Sequence, residues 1–401
     1  MPVGSLPVSG ARLTIALDAA GGDHAPGETV RGAAQAVEEL GVRVLLVGPK
    51  DAVERELDRA RVARRGLTGA LEVVPAEEAI SMGESPVAAV RSKPGSPPVV
   101  AARLVRDGQA SGFVSAGSTG AVLASSLLVL GRIEGIDRPS LATIFPTVIG
   151  RCLMLDVGAN VDCRPSFLAQ FALMGSLYSE RVLGVSRPRV GLLSIGEEET
   201  KGNQLSLEAY SLIKPLKLNF VGNVEGKDIP AGMADVVVAD GFVGNVALKM
   251  AEGMASLAFQ LIRSEAKKRP LAALGALLMR PAFEGVRRHV DYQEYGGAPL
   301  LGVRGVAIVA HGRSRARAIR NAIRVARDAA ECGLVDLIAE GIAAAPEIAA
   351  HGRRARQTGA SSRDEGIPDE GVEKLTGEDS VQHADDGSKN GTDQSSRQRG
   401  D

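Results

Sequence analysis

Short apolar runs that stop at a glycine are the feature that most constrains this chain. Ten stretches rich in Val, Ile and Leu recur along it: RLTIALD, VRVLLVG, LEVVP, SGFVSAG, SLATIFP, RCLMLDVG, PRVGLLSIG, KLNFVG, DVVVADG and GVAIVAHG. Runs of this length bounded by Gly and Pro are what strands buried on both faces look like. Helical patterns stand between them, as in 118-STGAVLASSLLVLG and 242-FVGNVALKMAEGMASLAFQ. Such βαβα alternation predicts a doubly wound α/β fold, in two lobes. Seven runs end in a polar, glycine-bearing cluster: at Asp18 to Gly22, Ser115 to Gly120, Asp156 to Asn160, Gly196 to Asn203, Gly222-Asn223, Asp240 to Asn245 and His311 to Ser314. In a parallel sheet the carboxyl ends of the strands share one side, so these clusters are expected to line one cleft.

Composition narrows the class. Lys and Arg number 47 against 48 Asp and Glu, which lacks the basic excess of a nucleic-acid binder. Three widely spaced cysteines, Cys152, Cys163 and Cys332, fit neither a disulfide framework nor a zinc pattern. With no charged, apolar leader and no apolar run of roughly 18 residues, a soluble cytoplasmic protein is expected. The globular part is expected over 12–350. The polar Gly/Ser/Asp/Gln-rich stretch 351–401 is expected to be disordered, because it offers too little apolar surface to offset ordering entropy.

The clusters carry the candidate chemistry. In FVSAGSTGA, residues Gly117, Ser118, Thr119 and Gly120 open a helix, which makes either an anion cradle of N–H groups and hydroxyls or a plain N-cap. Neither a Walker A loop nor G-x-G-x-x-G is present. Lys201, within GEEETKGN beside Asn203, is the favoured cation for a bound anion, and Lys93 is a weaker candidate. His311 closes an apolar strand and is read either as a phosphate or proton donor or as a core histidine. Asp240, Gly244 and Asn245 bracket a strand-to-helix turn, where the carboxylate orients a group or accepts a proton, or simply caps the helix. Asp18, Gly21, Gly22 and His24 are assigned to shaping the cleft wall. Asp156, Asn160 and Asp162 lack the spacing of a metal loop, so no metal is expected.

Together these motifs resemble the bacterial phosphate acyltransferase family. The matching stretches are ALDAAGGDHAP, SAGSTGA, GRIEGIDRP, LDVGANVDC, GEEETKGN, FVGNVEGKD, ADGFVGNVALK and AHGRS, in order from Leu13 to Asp336. Asp240, Gly244 and Asn245 also fit D-x-x-x-G-N, a fainter similarity to phosphotransacetylases. The resemblance implies an isocitrate/isopropylmalate-dehydrogenase-like fold and a homodimer without cofactor. The implied activity moves a fatty acyl group from acyl-acyl-carrier-protein to inorganic phosphate, giving acyl phosphate for phospholipid synthesis and hand-off to a membrane glycerol-3-phosphate acyltransferase. On that chemistry Lys201, Asp240 and His311 are the expected catalytic residues. Gly117, Ser118, Thr119, Gly120, Asn160, Asn203, Gly244 and Asn245 are expected to bind substrate. The chain departs from the family at Arg313, within HGRS rather than HGSS, and at 93-KPGSPP, which lacks a second serine.

Between 263 and 292, basic residues flank the apolar run LAALGALLM. A protruding helical hairpin is expected there, with Lys267, Lys268, Arg269, Arg280, Arg287 and Arg288 facing an acidic carrier protein or the inner face of the plasma membrane. Packing against a second copy is the competing reading. Two other functions fit the same architecture: an NAD-dependent decarboxylating hydroxy-acid dehydrogenase, and a non-catalytic acyl- or phosphate-binding regulator.

Overall fold

The computed structural model describes residues 13–63, 69–81, 83–268, 270–290 and 292–349. Arg269 and the polar stretch 351–401 lie outside the described residues. The strands are β1 (Thr14–Asp18), β2 (Arg43–Gly48), β3 (Leu71–Pro75), β4 (Gly112–Ser115), β5 (Ser140–Thr147) and β6 (Gly150–Leu155). They continue with β7 (Arg189–Leu193), β8 (Asn219–Val224), β9 (Val236–Val238), β10 (Ala298–Leu301) and β11 (Val306–Val309). All join one sheet in the order β3-β2-β1-β4-β11-β10-β5-β6-β9-β7-β8.

Strand alternation feeds two cores. Ile15, Leu17, Leu153 and Leu155 point into one, beneath the helices Gly27–Leu40, Pro165–Arg181 and Ala316–Glu331. Ala16, Phe113, Cys152 and Met154 point into the other, beneath the helix Pro97–Arg106 and the helical run 119–130. Burial on both faces is why these strands read as unbroken apolar runs. The helices Gly27–Leu40 and Ala316–Glu331 pack where Gly32 lets them approach. A Cβ there would stand 2.6 Å from the Ile319 Cβ.

The sheet is not parallel throughout, which corrects the expectation of a single line of strand ends. β1, β2, β3, β4 and β11 run one way. β10 is antiparallel to both β11 and β5, and β5 turns back through a hairpin into β6. β9, β7 and β8 then follow β6. The carboxyl ends of the two parallel sets therefore lie at opposite strand ends of the sheet.

After β9 the helix Gly241–Lys267 leaves the body, with only Gly241 and Gly244 buried along its 27 residues. The helices Pro270–Leu278 and Arg280–Val290 fold back beside it, which is the protruding helical element expected from the sequence. No helix among the described residues is long and apolar enough to cross a membrane.

Two substitutions separate body from projection. Phe171→Ala, at a fully buried position, is expected to lower the unfolding free energy by about 3–5 kcal/mol in denaturant titration. Leu271→Ala, at a position 85% exposed, is expected to change it by no more than about 0.5 kcal/mol.

Candidate active site

The sequence-predicted residues gather on two rims, one at each set of strand ends. On the amino-lobe rim, β1 ends in Asp18, whose buried carboxylate accepts from Ser115 Oγ at 2.6 Å and from Ala20 N at 3.1 Å. Ser115 Oγ in turn accepts from Gly117 N at 3.1 Å, which ties the glycine loop after β4 to the end of β1. Gly21 fits between them because a Cβ would fall 2.6 Å from Asp18 Oδ2 and 2.7 Å from Gly117 N. Gly22 takes a φ of +102° and lies against Ala116 and Gly312. Asp23 N donates to Gly312 O at 2.8 Å, which brings the turn after β11 to the same place.

Ser118 caps the helix Thr119–Ser125 through a long 3.5 Å contact from Ala121 N. Thr119, His24 and His311 are exposed, and Gly120 is buried. His311 Nδ1 accepts from Arg313 N at 3.2 Å, so Arg313 contributes its backbone to the histidine's orientation.

The carboxy-lobe rim is built on Asp156, which is wholly buried after β6. One oxygen accepts from Leu141 N at 3.0 Å and Ala159 N at 3.1 Å. The other accepts from Asn160 N at 2.7 Å and Asn160 Nδ2 at 2.8 Å. Asn160 Nδ2 also donates to Pro139 O at 2.7 Å. Both amide protons of Asn160 are thus committed, and only its Oδ1 is left to meet a ligand.

The turn DGFVGN lies directly on this loop. Gly241 N donates to Asn160 O at 2.8 Å, and a Cβ at Gly244 would fall 1.8 Å from Asp156 O. Asp240 caps the long helix, accepting from Val243 N at 2.9 Å with one oxygen, and Asn245 is exposed one turn further on. Next along the sheet, Asn203 caps the helix Gln204–Ile213 by accepting from Ser206 N at 2.9 Å. Lys201 is exposed on the same loop. Glu199 pairs with Lys214 at 2.7 Å instead of Lys201, and Lys93 is held by Glu84 at 2.6 Å.

Burial outweighs hydrogen bonding at both anchoring carboxylates and pushes Asp18 and Asp156 up to about 6. Burial likewise pushes the Cys152 and Cys163 thiols up to about 12. Both are protonated at neutral pH and are poor nucleophiles. In the projecting helices Lys267, Lys268 and Arg280 are exposed. Lys268 pairs with Glu265 at 2.5 Å and Arg280 with Glu284 at 2.9 Å. Arg287 and Arg288 fall on the helix Arg280–Val290. Ser115 and Asn223 carry loop-holding hydrogen bonds, to Asp18 and to Glu198 O, that sequence reading left without a role. Each is the polar residue at or next to the end of an apolar run, which is the available signal.

The fold is that of phosphotransacetylases. The EutD phosphotransacetylase from Staphylococcus aureus matches with a TM-score of 0.53 at 17% identity, over 80% of this chain and 94% of that one. A phosphotransacetylase from Streptococcus pyogenes gives 0.54 at 16% identity over the same shares. At such identity the likeness is one of fold. The family described as "Fatty acid synthesis protein" matches residues 13–336. The phosphate acyltransferase of Heliobacterium modesticaldum is 56% identical over 330 residues, covering 82% of this chain and 98% of its own length. That of Desulforamulus reducens is 52% identical over 330 residues, covering 82% and 97%. The chain belongs to this phosphate acyltransferase family. It is an acyltransferase of phospholipid synthesis, and the regulator and dehydrogenase readings fall away.

Two outcomes test this geometry. Gly244→Ala forces a methyl group onto the Asp156 carbonyl and is expected to cost about 1–3 kcal/mol or more of stability by denaturant unfolding. The raised carboxyls give a signed pH dependence. Their contribution is fully present below about 4, the unfolded value, and is lost as pH rises through about 6, the folded value. Stability from these groups therefore falls between pH 4 and 6, and Asp18→Asn should flatten part of that slope.

Proposed function

We propose that this enzyme transfers a long-chain fatty acyl group from acyl-acyl-carrier-protein to inorganic phosphate. A phosphate oxygen attacks the thioester carbonyl carbon, a C–O bond forms, the C–S bond breaks, and the thiolate leaves to take up a proton. Phosphate is already nucleophilic near neutral pH, so no covalent acyl-enzyme is needed, in keeping with the protonated Cys152 and Cys163. The observation that carries this reading is the Lys201 ammonium, which stands on the loop leading into the helix capped by Asn203 and pairs with no carboxylate of the described residues. A free cation of this kind suits a phosphate dianion.

Asp240 has a second oxygen available to orient phosphate or accept its proton. The exposed amides of Asn203 and Asn245 donate to the acyl carbonyl, while Asn160, with both amide protons committed, supports the rim through Asp156 and Pro139. Ser118, Thr119 and His311 serve from the amino-lobe rim, on substrates that bridge the two rims. Positioning two substrates in this way supplies much of the rate. The projecting helices supply the carrier-protein contact through Lys267 and its basic neighbours. A homodimer, peripheral membrane contact in the cytoplasm and delivery of acyl phosphate to a membrane glycerol-3-phosphate acyltransferase complete the reading.

The test mixes purified protein, acyl-acyl-carrier-protein and phosphate, and traps acyl phosphate with hydroxylamine. Phosphate-dependent hydroxamate is expected, and its absence sinks the proposal. Lys201→Ala should raise the KM for phosphate about tenfold or more. If Thr119→Ala and His311→Ala leave that KM unchanged, the amino-lobe rim serves the acyl donor instead. Reversing Lys267 and Lys268 to Glu should raise the KM for the carrier-protein substrate and leave that for phosphate unchanged. Equal kinetics would assign these charges to another surface.

A further inference from the structure

Three glutamates precede Lys201 in GEEETKGN, yet none of them holds its ammonium. Glu199 is drawn away by Lys214, at 2.7 and 3.0 Å. The loop is shaped by its backbone instead: Lys201 N donates to Glu198 O at 3.0 Å, and Ser194 Oγ donates to Lys201 O at 3.1 Å. Gly202 takes a φ of +128°. At Gly196 a Cβ would stand 2.9 Å from Lys201 Cγ, so the lysine stem lies across a residue that has no side chain.

One buried amide grips this loop from below. Asn223, near the end of β8, is 6% exposed, and its Nδ2 donates to Glu198 O at 2.8 Å and to Lys201 O at 3.5 Å. Its Oδ1 is buried with no hydrogen-bond partner. An unpaired buried acceptor is costly, and a small apolar residue here would avoid that cost. The two donations are what the amide provides in return, and both fall on carbonyls of the Lys201 loop.

We infer that Asn223 is a positioning residue, which fixes the loop so that the Lys201 ammonium is presented to phosphate and kept from the neighbouring glutamates. This rests on the reading of Lys201 as a phosphate ligand. It makes no contact between Asn223 and substrate. The effect of losing Asn223 therefore has to pass through Lys201, and a double-mutant cycle reads that dependence directly.

The experiment uses the full chain and the hydroxamate assay at varied phosphate for Asn223→Ala, Lys201→Ala and the double variant, with melting temperatures for each. Asn223→Ala should raise the KM for phosphate about tenfold, with kcat changed less than about threefold and the KM for the acyl donor unchanged. The double variant should be no worse than Lys201→Ala alone. Additive losses, or equal losses in kcat and both KM values that follow the melting temperature, overturn the inference and leave Lys201 as a ligand. An unchanged phosphate KM in Lys201→Ala overturns the phosphate reading and this inference with it. Should Asn223→Ala not fold, Asn223→Ser removes the unpaired amide oxygen while shortening the donor, and the same cycle is read on it.

Discussion

Four N–H groups converge on the buried carboxylate of Asp156, and the carboxy-lobe rim is assembled around that point. The donors come from the start of β5 and from the loop after β6, so one side chain joins the reversing hairpin to the polar loop. The backbone it fixes is the floor on which the DGFVGN turn rests, through Gly241 and Gly244. The Asp240 cap and the exposed Asn245 inherit their positions from that floor. Asp156 is thus a group that shapes the site without facing a substrate. Its burial explains both its raised pKa and the complete use of its oxygens.

The amino-lobe rim repeats the device with different residues. Asp18 accepts from Ser115 across two neighbouring parallel strands, and Ser115 passes the order on to Gly117. In both lobes a buried carboxylate beneath a strand end holds a glycine loop, and glycines are required where backbone or carboxylate comes within 3 Å. Rigid support of this kind keeps exposed polar groups aimed outward, which suits a reaction that relies on placing two substrates more than on an activated side chain.

The sequence made the strands legible because both-face burial leaves unbroken apolar runs, and ten of them appear where the runs do. β10 escaped notice: APLL is four residues long and contains a proline. That omission matters, because β10 is one of the antiparallel steps that reverse the strand direction between lobes, and periodicity carries no sign of direction. Site residues were legible as types but not as partners. Asn160 reads as a free amide until the structure ties both its protons to Asp156 and Pro139. Glu199 reads as a neighbour of Lys201 until the fold brings Lys214 to it from the far end of the next helix. Pairings across the fold decide such roles, and spacing along the chain cannot reveal them.

The helix Gly241–Lys267 joins the two parts of the proposed function in one rigid element. Its start, capped by Asp240, carries Asn245 one turn on, while its last turn carries Lys267. At about 1.5 Å per residue it spans roughly 40 Å. Phe242, Val246, Met250, Met254, Leu257 and Leu261 are exposed along it at intervals of four or three residues, forming an apolar stripe that the described part of this chain leaves uncovered. A large exposed apolar surface of this kind marks a place of association. Its two buried residues, Gly241 and Gly244, press on the Asp156 loop, and the half-buried Ala247 and Leu248 pack on the neighbouring core, so its anchorage adjoins its place in the rim. A partner seated on the stripe therefore contacts the same helix whose first residues lie on the Asp156 loop, so the exposed apolar surface and the carboxy-lobe rim belong to one element.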